Sequence, residues 1–341
     1  MKNLPRLVTL AFAAAISLVG AAAQAQDTIT LRLANFASAS GGMGRALDTY
    51  AKQLEERSGG RIKAEVFHGS SMGPAPKHYD LVRTGVADIA MFVTSYTPGR
   101  FTKTDLFALP NILANARTDA DSTSTVQEVA EEALYPEYEG VRMLWLAALS
   151  QDRLFTTNAP VRTLEDIKGK RIRVTSKSGQ AVLRAVGADP ISIPAGEVAE
   201  GLQKNSLDGL HASRGTVWAL KVGDLVDYQT PLLKIHLLVG LAINPTTYDN
   251  LPDDLKPLID DLGGPESATD FVKAYDEENP MVNEYVETID LEAVEPDAAL
   301  VEAVAKASEA YNDELLSELE AEHPDLRALY DRIRALDQAR N

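Results

Sequence analysis

The chain of 341 residues has no cysteine, only two tryptophans and only five histidines. Without thiols there is no disulfide framework, no thiolate metal site and no cysteine nucleophile. A lipid anchor attached through an N-terminal cysteine is excluded on the same ground. His68, His78, His211, His236 and His323 show no i,i+3 or i,i+4 pairing, so no transition-metal site is expected. Positive charge is scarce as well: 33 Lys+Arg stand against 50 Asp+Glu, a net charge of −17. Such a surface repels nucleic acid and anionic lipid, so neither is an expected partner. No Walker or Rossmann glycine pattern occurs, and no cofactor is expected.

The N-terminus does carry a pattern. Lys2 and Arg6 precede an almost wholly apolar run over residues 7–20, and Ala23-Gln24-Ala25 then matches a small-residue cleavage site. Residues 1–25 therefore read as a signal peptide cleaved near Ala25, with an uncleaved anchor as the rival reading. No later run is long and apolar enough to cross a bilayer. What remains is expected to be a soluble periplasmic monomer, long enough for two domains. If so acidic a molecule binds an anion, a few cations must be concentrated in one cleft.

Residues 29–34, 61–67 and 88–93 read as strands. Helical spacing over 43–57 and 77–84 separates them, with glycine stops at Gly59 and Gly85. The same β-α-β-α-β grammar returns at 170–175, 178–186, 191–193, 197–204 and 207–212, where Asn205 takes the cap position that glycine held before. Thr163 to Asp166 spells a capping box. From residue 251 onward the spacing is helical, with Pro280 expected to kink a helix over 267–288. These patterns predict an α/β protein of two similar lobes, joined by crossing segments, with a helical C-terminus and a long helix spanning both lobes as a hinge element. The expected division is 27–150 plus 240–280 for the first lobe and 151–239 plus 281–341 for the second. In doubly wound sheets a ligand sits at the carboxyl ends of the strands.

Few residues suggest chemistry. Gly69-Ser70-Ser71-Met72-Gly73 has the spelling of a hydrolase nucleophile elbow, which would make Ser71 an esterase nucleophile. That elbow must turn straight into a helix, whereas Pro74 and Pro76 favour an extended exit, so a glycine-rich bend explains it better. Arg171-Ile172-Arg173 is more unusual, because a period of two puts both arginines on one face of a strand. Arg173 stands near the strand's carboxyl end, with Ser176 leading into the next helix and its positive dipole end. A guanidinium there can clamp a carboxylate through two parallel hydrogen bonds. The alternative is a structural salt-bridge arginine.

The run from Leu164 to Val174, LEDIKGKRIRV, resembles a signature of the solute-binding proteins of tripartite ATP-independent periplasmic (TRAP) transporters, the DctP-like family. Gly187-Ala188-Asp189-Pro190, Glu197-Val198, Leu207-Asp208-Gly209, Ser58 to Lys63 and Gly85 to Ile89 agree in order and spacing. The resemblance implies a type II-like bilobal fold and a non-enzymatic transport role. It implies a small carboxylate ligand and delivery to the small and large permease subunits in the membrane. An ABC-type binding protein is the alternative with the same lobes. The resemblance also implies ligand contacts at Arg173 and Arg153, at Asn35, Thr94 and Ser95, and at Ser176. Two departures stand out: Ala195 replaces an aromatic found in many relatives, and His211-Ala212 replaces a Glu-Asn pair. Both enlarge the pocket and make it less polar, with Trp218 and Tyr96 as candidate apolar walls; for Trp218, ordinary core packing is the other reading.

Overall fold

The computed structural model describes residues 28–340 except 98, 194 and 276–279, so the expected signal peptide lies outside the described residues. The strands are β1 (Ile29–Ala34), β2 (Ile62–Phe67), β3 (Ile89–Val93), β4 (Arg142–Thr156), β5 (Arg171–Arg173), β6 (Asp189–Ile191), β7 (Gly209–Ala212), β8 (Tyr228–Ile243) and β9 (Glu292–Ala293). The principal helices are α1 (Gly42–Arg57), α2 (Asp119–Val129), α3 (Lys177–Ala185), α4 (Arg214–Leu220), α5 (Pro265–Tyr275), α6 (Pro280–Thr288), α7 (Ala298–Leu319) and α8 (Leu326–Gln338). All strands join one mixed sheet, ordered β2-β1-β3-β8-β4-β7-β5-β6, with β9 against β8.

Each lobe is built on a parallel trio. In the first, β1 lies between β2 and β3; in the second, β5 lies between β6 and β7. The two trios share a fastening. Arg32 of β1 donates from its backbone N and its Nε to Asp88 Oδ2 at 2.8 and 2.9 Å. Arg171 of β5 donates from the same two atoms to Asp208 Oδ2 at 2.8 and 2.9 Å. Both aspartates immediately precede the third strand of their trio, so each pair ties neighbouring strands where their chains enter the sheet. The hydrogen bond from Arg171 holds the Asp208 carboxyl below the usual carboxylate range.

The lobes are joined by two strands that the sequence reading treated only as crossing segments. β4 and β8 run antiparallel over nearly their whole length. The end of β8 pairs with β3 in the first lobe, Val93 opposite Val239, while the end of β4 pairs with β7 in the second, Arg153 opposite Ala212. Their register breaks between Gln151 and Arg153, where the pairing jumps from Ile235 to Pro231. Such an irregularity re-aims side chains and bends the strand. Here it falls where the chain passes from one lobe to the other.

The C-terminal helices differ from expectation. Leu300 and Val304 of α7 pack into the second-lobe core with Val182 and Leu183, whereas Leu316 packs with Phe107 and Ile112 of the first. Leu326, Leu329 and Ile333 of α8 join that same first-lobe core. Residues 281–341 therefore do not all belong to the second lobe. The buried face of α7 recurs every four residues from Leu300 to Leu316, so this 22-residue helix is long enough to serve both cores. Pro280 is the first described residue of α6, and the kink expected there falls on residues 276–279, outside the described residues.

Candidate functional site

Between the lobes lies a cleft of about 1670 Å³. Its walls come from the loops after β1 and β3, from the carboxyl end of β5 and the start of α3, from α4, from the crossing stretch of β4 and β8, and from residues of α5, α6, α7 and α8. Six of the sequence-predicted residues meet there: Ser95, Tyr96, Arg173, Ser176, His211 and Trp218.

Arg173 is set apart from every other cation. It is 7 % exposed and is the only buried lysine or arginine among the described residues. Its strand neighbour Arg171 is spent on Asp208, so of the two arginines on one face the outer one has the structural role. Arg173 forms no salt bridge with any described carboxylate. Its one hydrogen bond runs from Nε to the Ile193 carbonyl oxygen at 3.4 Å, which is long and weak. Burial pushes the guanidinium down from its ordinary pKa, and the nearby Tyr96 hydroxyl offsets part of that shift. An arginine remains charged regardless. A desolvated cation without an anionic partner is costly, and the cost is recovered when an anion completes the pair. Beside it, Ser176 caps α3 by accepting from Gly179 N at 3.1 Å, leaving a helix start aimed at the same region.

Four predicted residues lie elsewhere. Arg153 donates to Asp152 Oδ1 at 2.7 Å and is not on the cleft wall, because the register break after Gln151 changes the alternation of β4. Asn35 is fully buried; its Oδ1 accepts from Ala37 N at 3.0 Å and its amide meets His68 Nδ1 at 3.1 Å, which fixes the turn after β1. Thr94 is buried against β8, with its hydroxyl 3.5 Å from the Leu238 carbonyl oxygen. Ala212 faces the core beside Phe155, since its neighbour His211 takes the cleft side of β7. Of Ala195 only the backbone is described, at the start of a short 3-10 turn.

His211 Nε2 donates to the Leu233 carbonyl oxygen at 2.6 Å, and burial lowers its pKa, which disfavours the charged ring. Trp218 is half-buried, with the Arg45 guanidinium of the opposite lobe 5.2 Å from its ring centre. Tyr96 packs edge-on against Phe36 at 5.9 Å. The Ser71 elbow is a bend with Ser70 at φ 61, and no histidine bonds to the Ser71 side chain among the described residues. No group of three or more metal-binding side chains occurs among the described residues either.

Sequence reasoning missed Phe36, Gln151 and Asp105, all on the cleft wall. Phe36 was in reach, since the loop after β1 was already marked by the switch-point rule. Gln151 was not, because β4 itself was not read as a strand. Asp105 is pushed up to about 7 by burial and by Glu137, against a backbone hydrogen bond from Gly99. Above that pH its ionisation adds a negative charge to the wall. Affinity for an anionic ligand should therefore fall by a few-fold as pH rises through about 7. Titrations from pH 6 to 8 check this: Asp105→Asn should abolish the dependence, and an unchanged slope would assign it to another group.

Two lobes that share crossing strands around a cleft with one buried, uncompensated cation define the bilobal ligand-binding architecture. The family model for bacterial extracellular solute-binding protein, family 7, matches residues 33–319, and the chain belongs to that family. It is 26% identical over 259 residues to the uncharacterized protein YiiZ of Salmonella typhimurium, covering 75% of this chain and 76% of that one. It is 27% identical over 206 residues to the 2,3-diketo-L-gulonate-binding periplasmic protein YiaO of Escherichia coli, covering 60% and 62%. Among solved structures, a TRAP solute-binding protein of Rhodoferax ferrireducens holding copurified benzoate superposes with a TM-score of 0.79 at 22% identity, over 92% of this chain and 98% of that one. A marine metagenome TRAP solute-binding protein in complex with 3-hydroxybenzoate superposes with a TM-score of 0.83 at 19% identity, over 92% and 99%. The sequence motifs had implied this TRAP-type family, and the fold matches it.

Proposed function

We propose that this protein captures a small organic acid in the periplasm and delivers it to the membrane subunits of a TRAP transporter, without chemical change to the ligand. The observation that carries this reading is Arg173: buried, cationic, unmatched by any described carboxylate and placed on the cleft wall. The ligand carboxylate docks on that guanidinium beside the start of α3. The cleft exceeds the roughly 300–1,000 Å³ of a pocket closed round a small molecule. Approach of the lobes about the β4–β8 crossing would shrink it, exclude water and strengthen the charged hydrogen bonds in a lower dielectric. Related structures support the headgroup. Their ligands include benzoate, mandelate and D-glucuronate, each bearing a single carboxylate.

Calorimetry on protein unfolded and refolded to strip endogenous ligand tests the reading. A panel of organic acids should contain binders whose neutral amides bind at least about a hundredfold more weakly, the loss expected when a buried charge keeps no partner. Equal binding of acid and amide would refute it.

A further inference from the structure

The proposed ligand carboxylate accounts for one end of the guest; the cleft walls describe the other. Around Arg173 several polar side chains already have partners within the protein. Ser176 caps α3, Ser178 Oγ donates to the Ala108 carbonyl oxygen at 3.1 Å, and His211 donates to Leu233. The Thr216 hydroxyl lies 3.1 Å from Ser213 Oγ and 3.4 Å from Gln151 Oε1. A polyhydroxylated body would have to compete with such bonds for these groups. Hydrocarbon, by contrast, is waiting. Phe36 and Tyr96 project from the first lobe, Trp218 from the second, and Met43, Ile235 and Leu237 are among the other apolar side chains on the wall. Tyr96 keeps 42 % of its surface exposed, and Phe36 and Trp218 are only half-buried. Large rings left partly wet on both faces of one cleft mark an apolar contact yet to be made.

Among the described residues lining the cleft, no second buried cation offers another carboxylate a seat like that of Arg173. Lys177 and Lys221 reach the cleft but stand in water, where an ammonium is screened and adds little. Asp105 and Asp224 on the same wall oppose a second negative charge. Resting on the organic-acid reading and narrowing it, we infer that the cleft takes a monocarboxylate with an aromatic body. Its charged end sits on Arg173, and its ring is gripped between Phe36 and Tyr96 of one lobe and Trp218 of the other. Arg45 is a positioning residue, because its guanidinium covers Trp218 from the opposite lobe and ties the grip to closure.

The test is calorimetry of refolded protein with phenylacetate, benzoate, acetate, succinate and D-glucuronate. Phenylacetate or benzoate should bind at least about tenfold tighter than succinate and D-glucuronate. The affinity ratio of phenylacetate to acetate isolates the ring, since both share the headgroup. That ratio should fall about tenfold in Trp218→Ser and in Tyr96→Ser, the second of which alters an exposed residue and leaves folding intact. Tighter binding of succinate or D-glucuronate, still dependent on Arg173, would overturn the inference and leave the organic-acid reading standing. An unchanged ratio in both variants would also overturn it. Absence of binding by every acid would remove both.

Discussion

Arg173→Ala should lose organic-acid binding by about a thousandfold, with no loss of stability in the free protein. Truncating one partner of a desolvated, hydrogen-bonded charge pair costs about 3–5 kcal/mol, because the other charge is left buried and unpaired. About 4 kcal/mol is a thousandfold in affinity. Stability should respond differently. The side chain makes one long hydrogen bond in the protein and has no acidic partner among the described residues, so its removal relieves a desolvated charge. An ordinary structural arginine would lose stability on truncation, which makes the pair of readouts discriminating. Arg173→Lys keeps the charge but not the planar fork, and should fall between wild type and alanine. Calorimetry and thermal melts on the three proteins measure both quantities.

Gly209→Val should destabilise the second lobe by about 3 kcal/mol, lowering the melting temperature by roughly 6 to 12 °C. A Cβ at Gly209 would stand 2.2 Å from the Phe155 carbonyl oxygen and 3.1 Å from the Thr156 Cα, both backbone atoms that no rotamer can move. β7 lies between β4 and β5, and Gly209 is paired with Ile172 one residue before Arg173. Pushing β7 away from β4 therefore disturbs the strand that carries the guanidinium. The loss should appear in binding as well as in melting. A variant that melts like wild type would show that the two strands can part without cost. The glycine of Leu207-Asp208-Gly209 is thus required by close approach of two backbones, and the aspartate beside it by the Arg171 fastening.

Local elements were legible because short-range physics sets them. Glycine in the left-handed region closes the helix before β2 and the one before Ala188, and Asn205 at φ 53 does the same before β7. The capping box at Thr163 and Asp166 is formed as the spacing implied. Residues 142–156 and 228–243 were not legible as strands. Their central stretches, such as Leu144 to Leu149, are uninterruptedly apolar because both faces are covered, and such a run has no period to read. That gap propagated into the site. Without β4 and its register break, Arg153 could not be separated from the cleft or Gln151 placed in it. Asn35 and Thr94 were placed at the right sheet edge, but a loop position does not reveal which way a side chain turns. Arg173 was legible because a buried strand seldom carries arginine. Only the three-dimensional pairing showed that Arg171 takes the aspartate and Arg173 takes none.

The most direct measurement is a crystal structure of the protein with a bound aromatic acid. We expect both carboxylate oxygens at about 2.8 Å from the Arg173 guanidinium nitrogens, with the lobes closed over the ligand. A carboxylate seated elsewhere in the cleft, with Arg173 solvated or turned to an acidic side chain of the protein, would contradict the account.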